Sequence, residues 1–185
     1  GSRNTLGDRD WDHAHLHVGR NGSATVPYAW AYRPGAPQCG QEVARDLASI
    51  VREFKPTSVI SLDPNEVHHD HWACADFVQY ALDATGYAGS RYTFLVHFGH
   101  YPFPLAYLPG MGITPPGALV GNGIRWSALA LTPADIRAKS AAIDEYHSQS
   151  AVPDLRWFMR SFIRQNELFG THSPGRVATS STDDR

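Results

Sequence analysis

At 185 residues, with 42% hydrophobic and 18% charged content, the chain has the length and balance of one folded globular domain, which excludes a disordered or fibrous polypeptide. A formal charge of −2 and the lack of a long basic block give no support to nucleic acid as a partner, because neutralising phosphates takes clustered Lys and Arg. No stretch approaches the roughly 20 consecutive apolar residues that cross a bilayer, so no membrane span is expected and localisation stays open.

The first forty residues are rich in Gly, Pro and aromatics and offer one short strand, His13 to Val18. Its alternation would put His13, His15 and His17 on one face, either as a metal-binding set or as the polar face of an edge strand. From Gly40, the residues Val43, Ala44, Leu47, Ile50, Val51 and Phe54 recur at helical spacing, and Lys55-Pro56 ends the helix. Thr57 to Leu62 is β-branched and almost wholly apolar, the pattern of a strand buried on both faces of a parallel sheet. Helix followed by strand predicts an α/β crossover.

Asp63-Pro64-Asn65 breaks the strand, and a second helix runs from Trp72 to Ala84, stopping near Gly86. A strand is expected at Arg91 to Phe98, then a long loop, Gly99 to Gly123, punctuated by Pro, Gly and aromatics. Thr132-Pro133-Ala134-Asp135 is a helix start, and that helix should reach about Ser148. Trp157, Phe158, Phe162, Ile163 and Phe169 suggest a further helix or mixed element, which closes a domain over residues 1–170, while 171–185 read as a disordered polar tail. Cys39 and Cys74 are too few for a disulfide scaffold and lack paired metal-ligand spacing, so they read as free thiols, with a single bridge as the alternative.

The chemistry concentrates in His68-His69-Asp70-His71, between the apolar strand and the second helix. The carboxyl end of a core strand is where open α/β sheets place their ligands. A neutral imidazole can donate a lone pair to zinc, a protonated one can stabilise an oxyanion, and a carboxylate can fix the orientation of either. A solvated polar turn is the alternative use of the same residues.

Three ordered motifs resemble the LmbE/PIG-L deacetylases, which remove N-acetyl groups from glucosamine-containing substrates. Pro56 to Leu62 followed by His68-His69-Asp70-His71 is similar to the family's strand and His-x-Asp-His motif. Lys139 to Gln149 is similar to its Lys-x-x-Ala-Ile-x-x-Tyr-x-Ser-Gln helix, and Arg164 to Phe169 to its Arg-x-x-Glu-x-Phe ending. The resemblance implies a Rossmann-like three-layer sandwich with a mostly parallel sheet, and an amino-sugar conjugate as substrate. It also implies Zn2+ as cofactor, His71 as a ligand, His68 as oxyanion stabiliser or acid, and Asp70 as an orienting carboxylate.

The family's Ala-His-Pro-Asp-Asp-Glu signature, source of two further ligands and the base, has no counterpart in this chain. A catalytic zinc takes about three protein ligands, so the chain alone is expected to be weakly active, with a separate segment carrying that motif as partner. His97, Arg125, Trp126, Tyr101 and Phe103 are candidate substrate contacts, since sugars stack on aromatic faces. A non-catalytic relative serving as a carbohydrate-binding or interaction module is the second reading. A domain in which the histidines are incidental is the third.

Overall fold

The apolar recurrence from Val43 forms α1 (Gly40–Phe54) in the computed structural model, which describes residues 6–172. Lys55 closes the helix in the left-handed region at φ 51°, its N–H reaching Val51 O at 3.0 Å, and Pro56 then prevents continuation. β1 (Ser58–Leu62) follows, and then α2 (His69–Thr85), which ends on Gly86 at φ 63° with backbone bonds to Asp83 and Leu82. α2 starts three residues earlier than the apolar pattern indicates, because His68 caps it and its first turn is polar.

The chain divides after Arg91 into two compact units. In the first, α1 and α2 pack through Ala44, Ala73 and Phe77, with Leu6, Trp11, Val43 and Leu47 around them. The segment carrying Leu6 and Trp11 crosses the start of α1, where Gly40 N–H donates to Asp10 O at 3.0 Å and Gln41 N–H to Trp11 O at 2.8 Å. Trp11 stacks on Phe77 at 6.2 Å and meets Tyr80 edge-on at 5.8 Å. No strand forms at His13 to Val18, contrary to the alternation, because the segment is held by turns and by α1 instead of by a neighbouring strand.

Four strands form one sheet in the order β1-β2-β4-β3, with β2 (Ser90–Phe94), β3 (Ile124–Ala130) and β4 (Asn166–His172). The α/β class holds, whereas the expected mostly parallel sheet does not describe the β4 ladders. β4 pairs antiparallel with β2, Thr93 opposite Gly170, and with β3, Ile124 opposite His172 through Ala130 opposite Asn166. β1 is at the sheet's edge and leaves Ile60 57% exposed, so burial on both faces is overturned. Gly170 sits where a Cβ would stand 3.0 Å from both Thr93 Oγ1 and Ile124 Cγ2, which explains a glycine inside a strand.

In the second unit the long loop is pinned by its own side chains. Leu95, Tyr101, Ile113, Leu119 and Leu168 make a buried cluster with Phe98, Ile124, Trp126 and Phe162 against it. Arg164, fully buried, donates from Nη2 to Pro104 O at 2.5 Å and Ala106 O at 3.1 Å, and from Nε to Ser161 O at 2.7 Å. Asn166 Oδ1 accepts from Ile113 N–H at 2.7 Å.

Thr132 and Asp135 form a capping box for α3 (Pro133–Asp144), which stops short of Ser148; the short α4 (His147–Ser150) follows. The expected closing element is two elements, α5 (Pro153–Ser161) and β4. Residues 171 and 172 belong to β4 rather than to a tail, and the remainder of the expected tail, 173–185, lies outside the described residues.

Candidate active site

The turn between β1 and α2 is built by hydrogen bonds of its own residues. Asp63, fully buried at the end of β1, accepts from Asn65 N–H at 2.9 Å and from Asn65 Nδ2 at 2.7 Å. Its carbonyl then takes Glu66 N–H at 3.1 Å, which folds the chain back toward the start of α2. Glu66 is thereby buried, its side chain wholly out of solvent, and its Oε2 lies 3.1 Å from His71 Nδ1. His71 itself is a quarter exposed.

His68 stands at the N-cap, and its Nδ1 accepts from Asp70 N–H at 3.3 Å. A ring nitrogen that accepts carries no proton, so the proton of neutral His68 is on Nε2. His71 is set the other way: with Nδ1 facing a carboxylate, its proton is on Nδ1 and the lone pair on Nε2. The two rings are 4.9 Å apart and tilted by 50°. A donor imidazole and an acceptor imidazole therefore stand side by side, one helical turn apart, at a helix N-terminus that itself favours negative charge.

The structure brings His68 and His71 together, and the carboxylate it puts against His71 is Glu66. The Asp70 carboxylate is exposed in the first turn of α2, its backbone N–H being the part that meets His68. The sequence pattern marks Asp63 only as part of a strand breaker and gives Glu66 no role. An acid at a strand end with a second acid three residues on, just before a histidine cluster, is the signal that could have singled them out. Arg91, also in the first unit, has a buried Nε with no acceptor among the described residues, and burial pulls its guanidinium down against the opposing pull of Asp63 and Asp83. Burial likewise raises the Cys74 thiol; both cysteines are free.

The other candidates have different surroundings. His13 Nε2 meets Glu42 at 2.7 Å, His15 Nδ1 meets Asp12 at 2.9 Å and His17 Nδ1 meets Asp10 at 3.0 Å, so these imidazoles are each matched to a different acid instead of sharing a face. In the second unit, His97 lies past the end of β2 and stacks on Phe158 at 4.9 Å. Tyr101 is a core residue packed edge-on against Phe162, and Trp126 donates from Nε1 to Leu119 O at 3.3 Å. Arg125 is exposed on β3, and Phe103 is 78% exposed. Glu167 pairs with Lys139 at 2.5 Å.

Among the described residues no three His, Cys, Asp or Glu side chains gather in a way that could hold a metal ion. The donors at the turn thus fall short of the three ligands a catalytic zinc takes.

No family model matches the chain, and no curated protein sequence does. Among solved structures it is similar to the zinc-inhibited form of teicoplanin deacetylase Orf2, at 18% identity and a TM-score of 0.49. That likeness covers 89% of this chain and 66% of the other, so the chain spans less than two thirds of that protein's length.

Proposed function

We propose that this chain carries the imidazole part of an amide hydrolase site that removes an N-acetyl or other N-acyl group from an amino-sugar conjugate. The observation that carries the reading is the pair of contacts on the two Nδ1 atoms, Asp70 N–H at His68 and the buried Glu66 carboxylate at His71, which favour opposite tautomers in the two rings. His68 Nε2–H is the donor suited to a carbonyl oxygen that becomes an oxyanion, and it later protonates the departing amine. The His71 Nε2 lone pair suits a cation or a water proton, with Glu66 holding the ring and supporting its positive charge. The order of the three motifs along the chain supports the same assignment.

The described donors do not make a zinc centre by themselves, so the chemistry assigned to this chain is proton handling at those two nitrogens. In this reading the remaining ligands and the base come from a segment bearing the His-Pro-Asp-Asp signature. Acetate release from an N-acetylglucosamine conjugate tests it. Little turnover is expected from the 185-residue chain with or without added zinc, and substantial turnover from its fusion to such a segment. In that fusion His68→Ala should lower kcat by at least about a hundredfold. Fast turnover by the chain alone would refute the shortfall of ligands. A fusion that is inert, or indifferent to His68→Ala, would refute the hydrolase reading.

The same shortfall favours a second reading, a sugar-binding relative without catalysis. Zinc content separates the two, because the binding module should hold none in stoichiometric amount after dialysis whereas the hydrolase fusion should hold one equivalent.

A further inference from the structure

The loop from Val26 to Ala36 is a braced platform for aromatic rings. Its base is closed by Val26 N–H to Ala36 O and Gly35 N–H to Val26 O, both at 2.9 Å, with Thr25 and Pro37 bridged beside them. It is tied to α1 twice: the Arg33 guanidinium meets the carboxylates of Asp46 and Glu42, and the Tyr32 hydroxyl donates to Glu53 Oε1 at 2.7 Å. On this loop Tyr28 and Trp30 stack with centroids 5.0 Å apart and 24° between their planes. They do so outside the core, at 52% and 83% exposure.

A tryptophan left this open in water contributes little to folding, yet here it is held flat by a neighbouring ring on a loop with two anchors. Size and charge decide what it suits. Tyr28, Trp30 and the half-exposed Tyr32 of the same loop offer on the order of 400 Å² together, and the flanking Pro27, Ala29, Ala31, Pro34 and Gly35 add little. A stable protein partner needs about 800 Å² per side, so the platform is too small for one. The loop's one charged residue, Arg33, is already matched to two carboxylates, which leaves no cation to draw an anionic membrane or a phosphate backbone. The remaining match is an uncharged ligand about one ring across with a face of polarised C–H bonds, which meets the negative face of an indole favourably. A pyranose has that face.

We propose that Trp30, buttressed by Tyr28, is a stacking platform for a pyranose ring of an uncharged glycan. This site is separate in its chemistry from the imidazole pair, and it stands or falls independently of amide hydrolysis. Titration of the 185-residue chain with chitotriose, and separately with cellotriose, tests it through the indole N–H resonance of Trp30 in a two-dimensional NMR spectrum. A saturable shift of that resonance with at least one of the two sugars is expected. Trp30→Ala should weaken binding by about tenfold or more and Trp30→Phe by about threefold or less, both with an unchanged urea midpoint because the side chain is outside the core. No shift of Trp30 with either sugar, or equal binding by Trp30→Ala, would overturn the proposal. So would a Trp30 resonance that responds to anionic lipid vesicles, or to protein concentration, and not to sugar.

Discussion

Replacing Gly40 by alanine sets two effects of opposite sign against each other. Helix propensity alone favours alanine by up to about 1 kcal/mol. The added methyl, however, would stand 2.0 Å from Leu6 O and 2.4 Å from Trp11 Cε3, and a backbone carbonyl cannot swing aside as a long side chain does. Residues 6–11 must therefore lift. That breaks the bonds from Gly40 N–H to Asp10 O and from Gln41 N–H to Trp11 O, each contributing about 1 kcal/mol net. It also uncovers part of Leu6 and of the Trp11 ring that stacks on Phe77. About 100 Å² of newly wetted apolar surface adds roughly 2.5 kcal/mol. The losses come to about 4.5 kcal/mol, and the propensity gain leaves a net destabilisation of about 3 to 4 kcal/mol. Urea unfolding followed by tryptophan fluorescence measures it, with Gly110→Ala as a control where no atom lies within 4 Å of the added Cβ. A Gly40→Ala variant as stable as the parent, or more so, would refute the packing of residues 6–11 across α1.

Two further outcomes follow from the charged groups. The Asp10 carboxyl is held down to about 2 by its bond to Arg9 and then by His17, and Asp12 and Glu42 are lowered in the same direction, chiefly by His15 and Arg33. A carboxylate depressed on folding contributes stability above its ordinary value of 3.8 and loses it as the pH falls toward 2. The urea midpoint should therefore drop across that window, and Asp10→Asn should flatten the drop; a parallel pH profile for the variant would show that Asp10 contributes nothing. Arg164→Lys keeps the charge but loses the planar fork that reaches Ser161, Pro104 and Ala106. It should cost about 2 to 4 kcal/mol in the same unfolding experiment, and a cost under about 0.5 kcal/mol would mean that the loop is held by its apolar side chains alone.

Local signals were the legible ones. The helical spacing of α1, its stop at Lys55-Pro56, the Gly86 end of α2 and the Thr132 cap are each set within a few residues, and each forms where the pattern indicates. The histidine cluster was likewise visible in the sequence, and the structure places His68 and His71 side by side, with Glu66 against His71. What escaped depends on distant parts of the chain. β4 contains Asn166, Glu167 and Gly170, a poor strand by composition, and it is a strand because β2 and β3 flank it. The apolar run of β1 suggested a central strand, but position in a sheet is not written in one segment, and β1 is at the edge. His13, His15 and His17 have strand alternation without a strand to pair with. Asp63 looked like a strand breaker and Glu66 carried no signal of its own; their burial comes from the turn closing over the end of β1.

Each side-chain hydrogen bond named at this turn, from Asp63–Asn65 to Glu66–His71, joins residues no more than five positions apart. Such an arrangement behaves like a cassette. A strand launches it and a helix receives it. The orientation of both rings is therefore set by short-range bonds that form together with the end of β1 and the start of α2.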